Sequence, residues 1–115
     1  MLLIEYPRCS TCKKAKKWLD DHGVSYCDRN IVSENPTKGE LKVWFQKSNY
    51  PLKRFFNTSG NLYKEYGLAK KLPTMSEEEQ FDLLASDGML VKRPNLVCDD
   101  KIFVGFKEEE WKEIL

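Results

Sequence analysis

The stretch that most constrains this chain is its start, residues 2–19. Leu2-Leu3-Ile4-Glu5-Tyr6 is a short apolar run, Pro7 stops it, and Cys9-Ser10-Thr11-Cys12 follows. The run reads as a buried strand. Ala15, Trp18, Leu19 and His22 then recur at helical spacing until Gly23, which predicts a helix with a glycine stop. Two thiols three residues apart therefore sit where a strand gives way to a helix. Cys9 falls in the loop and Cys12 in the first turn. The start of a helix presents unpaired N–H groups and the positive end of the dipole, so it favours negative charge. A thiolate is negative, so a cysteine at this helix start is predicted to ionise more readily than a free one. A CxxC in this setting points to redox chemistry.

The charges around it run against helix stability. Lys13, Lys14, Lys16 and Lys17 crowd the start, where acids are preferred, and Asp20 and Asp21 sit near the end. Conflicts of this kind tend to mark functional sites. The lysines either stabilise a thiolate or an incoming anion, or form a solvated face. Acids and bases otherwise nearly cancel, 18 against 19, which argues against direct nucleic-acid binding and against electrostatic attachment to a membrane. No stretch has the length of a membrane span or the layout of a signal peptide. The expected location is the cytoplasm, where thiols stay reduced and a CxxC is catalytic or redox-sensing.

Val24 to Ile31 reads as a second strand, with Val24, Tyr26 and Asp28 on one face and Ser25 and Cys27 on the other. Strand, helix, strand makes a βαβ unit with a right-handed crossover. A helical block follows, about residues 36–88. Thr37-Lys38-Gly39-Glu40 and Ser76-Glu77-Glu78-Glu79 have capping-box spacing, and each precedes apolar residues at helical intervals. Between them lie a helix ending near Gly67 and a break at Leu72-Pro73-Thr74. Asn95 to Cys98 and Lys101 to Val104 read as strands around a tight Asp99-Asp100 turn. A last helix has Glu108, Glu109 and Glu110 in its first turn and Trp111, Ile114 and Leu115 toward the core. The order predicts an α/β fold: a thioredoxin-like, four-stranded mixed sheet with a helical insertion, in one domain over 1–115.

Four segments carry a resemblance. Cys9-Ser10-Thr11-Cys12, Tyr63-Lys64-Glu65-Tyr66-Gly67-Leu68, Leu90-Val91-Lys92-Arg93-Pro94 and Val104-Gly105-Phe106-Lys107-Glu108-Glu109-Glu110 together resemble the ArsC arsenate reductase and Spx superfamily across essentially the whole chain. Within it the chain is most similar to the Spx/MgsR-type proteins. The resemblance implies a thioredoxin-like domain in which Cys9 attacks the arsenic centre, with glutathione and glutaredoxin, or a thioredoxin-like reductant, completing the reduction. It implies that Arg93, before a cis-Pro94, grips the oxyanion, which suits a planar guanidinium. Ser10, Thr11 and Lys13 complete the expected anion-binding set, and no bound cofactor is expected. The family pattern has a histidine at Glu5, an arginine at Lys13 and further arginines near Asn57 and Gly105, with Arg54 one turn away as a substitute. A carboxylate at Glu5 opposes ionisation of Cys9 if it points there. Spx-like relatives carry a second cysteine matching Cys12 and use the pair as a redox switch. By that route Cys12 resolves an adduct on Cys9 as an intramolecular disulfide. The same relatives imply a different role, redox-controlled binding to RNA polymerase through the C-terminal domain of its α subunit.

Cys27 and Cys98, on predicted strands, read as buried structural thiols. A zinc site would need a second close pair of ligands, which the sequence lacks. Trp18, Trp44, Phe45, Tyr50, Phe55 and Phe56 read as core, and Asn57, Thr58 and Ser59 as caps that also neighbour the cysteine loop.

Overall fold

The computed structural model describes residues 1–115. Four short strands form one mixed sheet: β1 (Leu2–Glu5), β2 (Cys27–Asn30), β3 (Asn95–Val97) and β4 (Ile102–Val104), in the order β2-β1-β3-β4. β1 and β2 are parallel across the helix α1 (Ser10–Asp21), while β3 runs antiparallel to both β1 and β4. This is the predicted α/β layout, and no helix is long and apolar enough to cross a membrane.

Alternation along β1 divides the core. Leu3 points to one face, where its register partner Leu96 and, one strand further, Phe103 opposite Leu96 meet Ala15, Trp18 and Leu19 of α1 and Trp111 of α6 (Glu108–Trp111). Ile4 points to the other face and joins Ile102 and Val104 in a larger cluster with the helical block. That block comprises α2 (Lys38–Lys47), α3 (Asn61–Glu65), α4 (Leu68–Lys71) and α5 (Glu77–Ser86), joined by short 3-10 turns. Both capping boxes form: Thr37 and Ser76 each accept from the backbone N–H three residues on, and Glu40 and Glu79 each reach back to the cap. Helix ends that would otherwise leave N–H groups unpaired are thereby closed.

The structure corrects several boundaries. Only Cys27–Asn30 of the expected second strand pairs with β1, because β2 is an edge strand with one neighbour. Val24 and Tyr26 instead pack from the connecting segment onto the α1 and α6 layer. Cys27 is exposed at that edge and Cys98 is half-buried beyond the end of β3, so neither is a fully buried thiol. Leu72-Pro73-Thr74 forms a 3-10 turn, with Pro73 in its first positions, and α4 occupies the residues before it. Leu115 is 61% exposed, since the helical end turns its last residue outward, while Trp111 is fully buried.

Candidate functional site

Cys9 is the N-cap of α1, in extended backbone with φ −83° and ψ 123°. The Cys9 N–H donates to Tyr6 O at 3.0 Å, and the Lys13 N–H donates to Cys9 O at 3.1 Å. The half-buried thiol therefore stands over the first turn of the helix. Burial alone would push it up. The backbone N–H of Cys12, the Cys12 thiol, the Arg93 guanidinium and the backbone N–H of Thr11 outweigh that, and hold Cys9 below the ordinary cysteine range. The lysines take no part in this. Lys16 pairs with Asp28 at 2.8 Å, Lys17 pairs with Asp21 at 2.8 Å, and Lys13 and Lys14 point into solvent.

Cys12 is the opposite case. It is fully buried beneath α1 and lies 3.4 Å from Cys9. Burial comes first in pushing its thiol up to about 12, and the negative charges of Cys9 and Glu5 add to it. Glu5 thus acts on Cys12 rather than on Cys9. Alternation along β1 sends it to the same face as Leu3, under the helix. One turn of α1 separates a thiol ready to ionise from one that stays protonated.

Cys9 opens onto a cleft of about 1040 Å³. One wall is made where residues 55–57 run beside residues 90–92: the Lys92 N–H donates to Phe55 O at 2.7 Å, the Asn57 N–H donates to Leu90 O at 2.8 Å, and Phe56 pairs with Val91. The Arg93–Pro94 peptide beside it is cis, as the resemblance implied. Cys9, Thr11, Arg93, Asn57, Thr58 and Ser59 line the cleft. Ser10, Lys13 and Pro94 do not, and neither does Cys12, which reaches it only through Cys9.

The cleft is cationic. Lys53, Arg54, Lys92, Arg93 and Lys107 line it, and no aspartate or glutamate does. Arg54 is already engaged: its guanidinium stacks on Tyr50 at 4.0 Å and lies 3.3 Å from Glu110, which also accepts the Tyr50 hydroxyl at 2.6 Å. Arg54 is therefore a poor substitute for a free anion-binding arginine. Arg93 has no carboxylate partner; it lies over the Tyr6 ring at 5.2 Å, with Nη1 3.8 Å from Met89 Sδ. Sequence reasoning missed Lys53, Lys92 and Lys107. Two of them stand inside the segments that carry the resemblance, Lys92 next to Arg93 and Lys107 after Gly105-Phe106, and that adjacency was the available signal. Gly105 has φ +81°, and a side chain there would come within 3.3 Å of the Lys92 stem. Lys92 thus occupies the space beside the position where the family pattern has an arginine. Together these groups can hold an anionic partner against a nucleophilic sulfur, with a second sulfur behind it.

The chain is similar in sequence and fold to several known proteins. The uncharacterized protein YusI of Bacillus subtilis is 53% identical over 108 residues, covering 94% of this chain and 92% of YusI. The regulatory protein MgsR of Bacillus subtilis is 30% identical over 105 residues, covering 91% of this chain and 82% of MgsR. A crystal structure of an ArsC-family-related protein from Bacteroides fragilis superposes with a TM-score of 0.97 at 55% identity, covering 99% of this chain and 96% of that one. A possible arsenate reductase from Streptococcus mutans gives 0.88 at 43%, covering 96% of each. The ArsC family model matches residues 4–114, and the chain belongs to the ArsC family.

Proposed function

We propose that this protein is a cytoplasmic thiol oxidoreductase of the arsenate-reductase type, with Cys9 as nucleophile and Cys12 as resolving thiol. The observation that carries the reading is the split between two neighbouring sulfurs: an easily ionised, half-exposed Cys9 facing a cationic cleft and a buried, protonated Cys12 at 3.4 Å. In the reaction, the Cys9 thiolate displaces hydroxide from arsenate, or a thiolate from an anionic disulfide such as a glutathione adduct. Cys12 then attacks the Cys9 sulfur. The electron pair of the broken bond leaves with arsenic, as arsenite, or with the departing thiol. A Cys9–Cys12 disulfide remains, and glutaredoxin or a thioredoxin-like reductant reopens it. Arg93, Lys92 and the N–H groups of α1 hold the anionic partner.

The test is turnover of arsenate and of a glutathione mixed disulfide, each with and without glutaredoxin. Cys9→Ser abolishes both, whereas Cys12→Ser leaves the first attack intact and makes completion depend on external thiol. Full turnover in Cys9→Ser would end the proposal. The 30% identity to MgsR favours a second reading, in which the same Cys9–Cys12 pair switches binding to RNA polymerase, through the C-terminal domain of its α chain. Copurification with polymerase that changes with oxidation state supports it, and its absence under both oxidising and reducing conditions removes it.

A further inference from the structure

Resolution by Cys12 requires a proton to leave a buried site. Cys12 attacks as a thiolate, yet it is fully buried and its thiol is pushed up to about 12. Something inside the protein must accept that proton. Register and alternation place three groups beneath α1. Glu5 follows Leu3 on the covered face of β1, and Asp28 is the register partner of Leu3 on β2. Lys16 stands one turn beyond Cys12 on the helix and bridges both acids, 3.7 Å from Glu5 and 2.8 Å from Asp28. Glu5 is only 2% exposed, and its Oε2 has no hydrogen-bond partner. A buried carboxylate oxygen left unpaired is costly and calls for a role. Asp28, by contrast, has a side chain 41% exposed.

We propose that Glu5 accepts the Cys12 proton during resolution, and that Asp28, held beside it by Lys16, relays that proton to water. The inference rests on the resolving role of Cys12. The Cys12 S–H gives its proton to the Glu5 carboxylate, which becomes a neutral acid. The thiolate attacks Cys9 in the mixed disulfide; the Cys9–Cys12 bond forms, and the partner thiolate leaves with the electron pair of the broken bond. Glu5 then passes its proton to Asp28 and solvent. Burial first, and Asp28 next, already hold the Glu5 carboxyl above its ordinary range, so its proton affinity lies nearer that of a thiol. The titratable acids around this cluster are Glu5, Cys12 and Asp28, with Cys9 3.4 Å from Cys12 and Tyr26 beside Lys16 and Asp28, and Lys16 is its cation.

The experiment uses the full chain with Cys27 and Cys98 changed to serine, reacted with dithiobis-nitrobenzoate in a stopped-flow instrument. Attack by Cys9 releases the first nitrothiophenolate and closure by Cys12 releases the second. Glu5→Gln is expected to lower the ratio of second-phase to first-phase rate by about tenfold or more at neutral pH. It also makes closure first order in hydroxide, rising about tenfold per pH unit, where the parent curve is flat. An unchanged or larger ratio with the parent pH profile overturns the inference. Should Glu5→Gln fail to fold by circular dichroism, Lys16→Met decides: loss of the cation moves the onset of closure to higher pH, and an unmoved onset overturns the inference. Absence of the Cys9 phase in the parent would instead overturn the oxidoreductase reading itself.

Discussion

Replacing Arg93 with methionine should make the pH profile of Cys9 alkylation cross that of the wild type. Arg93 is the one side-chain cation among the groups that hold the Cys9 thiol below its ordinary range. A hydrogen bond to a charged group contributes roughly 1.5–3 kcal/mol. The cleft is open to solvent, so the lower end applies, and about 1.5 kcal/mol is about tenfold in the thiolate fraction at low pH. A more basic thiolate is also a better nucleophile, with a sensitivity of about 0.4–0.5, which returns about threefold. The net expectation is a loss of about threefold below the wild-type titration midpoint and a gain of about threefold above the mutant's. Arg93→Lys keeps the charge without the planar fork, so its curve falls between the two. The assay is iodoacetamide labelling of Cys9 from pH 5 to 10, read by peptide mass spectrometry so that Cys27 and Cys98 do not contribute. A collapsed site would shift the rate in one direction at every pH. Superimposable curves for Arg93→Met and wild type would refute the assignment of Arg93 as thiolate partner.

Two further outcomes follow from the fold. Arg29 on β2 grips Glu40 on α2 through both guanidinium nitrogens, at 2.7 and 2.9 Å, and the carboxyl is lowered to about 2, first by that contact. A carboxyl depressed in the folded state stabilises it fully above the unfolded value of 4.5, and that stabilisation is lost as pH falls toward 2. Glu40→Gln should therefore cost about 1–2 kcal/mol at neutral pH, after discounting for screening of a carboxylate one-third exposed, and flatten acid unfolding in that window; equal urea midpoints at pH 7 would contradict this. Gly88 packs so closely that a β-carbon would sit 1.8 Å from Ile31 O, a backbone atom that cannot swing away. Gly88→Ala should destabilise by about 3 kcal/mol in denaturant titration, and a loss under about 0.5 kcal/mol would mean the contact relaxes freely.

What was legible in the sequence was local. Pro7, Gly23 and the two capping boxes are short-range signals, and each marks a real boundary. The CxxC at the strand-to-helix junction was legible for the same reason, because its chemistry depends on the helix start a few residues away. Cys27 misled because alternation alone does not reveal that β2 lies at an edge. Of the two readings open for the lysines the solvated face holds for Lys13, Lys14 and Lys17, while the partner of Lys16 is distant in sequence: it is neutralised by Asp28, twelve residues on. Arg54 likewise answers to Glu110 and Tyr50, a pairing that exists only once α6 docks. The cleft needs residues 53–62 and 89–93 side by side, and nothing in either segment alone announces the other.

The asymmetry of the two sulfurs also follows from placement rather than composition. Both belong to one helical turn, and the same backbone dipole acts on each. Cys9, at the cap, gains the free N–H groups and Arg93 while keeping contact with water. Cys12, three residues on, has rotated toward the sheet, where burial dominates and Glu5 adds a repelling charge. The proposed attack and resolution are thereby separated in order: the sulfur that ionises first is the one that faces the cleft. In the proposed reaction the other, 3.4 Å from Cys9, acts only once Cys9 carries an adduct, with Glu5 on the covered face of β1 as the proposed acceptor of its proton. Loss of the Arg93 guanidinium together with an opening under Cys12 would remove that order even with both cysteines kept. On the proposed mechanism the spacing of the motif is necessary but not sufficient, and the buried floor under its second member, on the face of β1 where Glu5 lies, sets the order of the two steps.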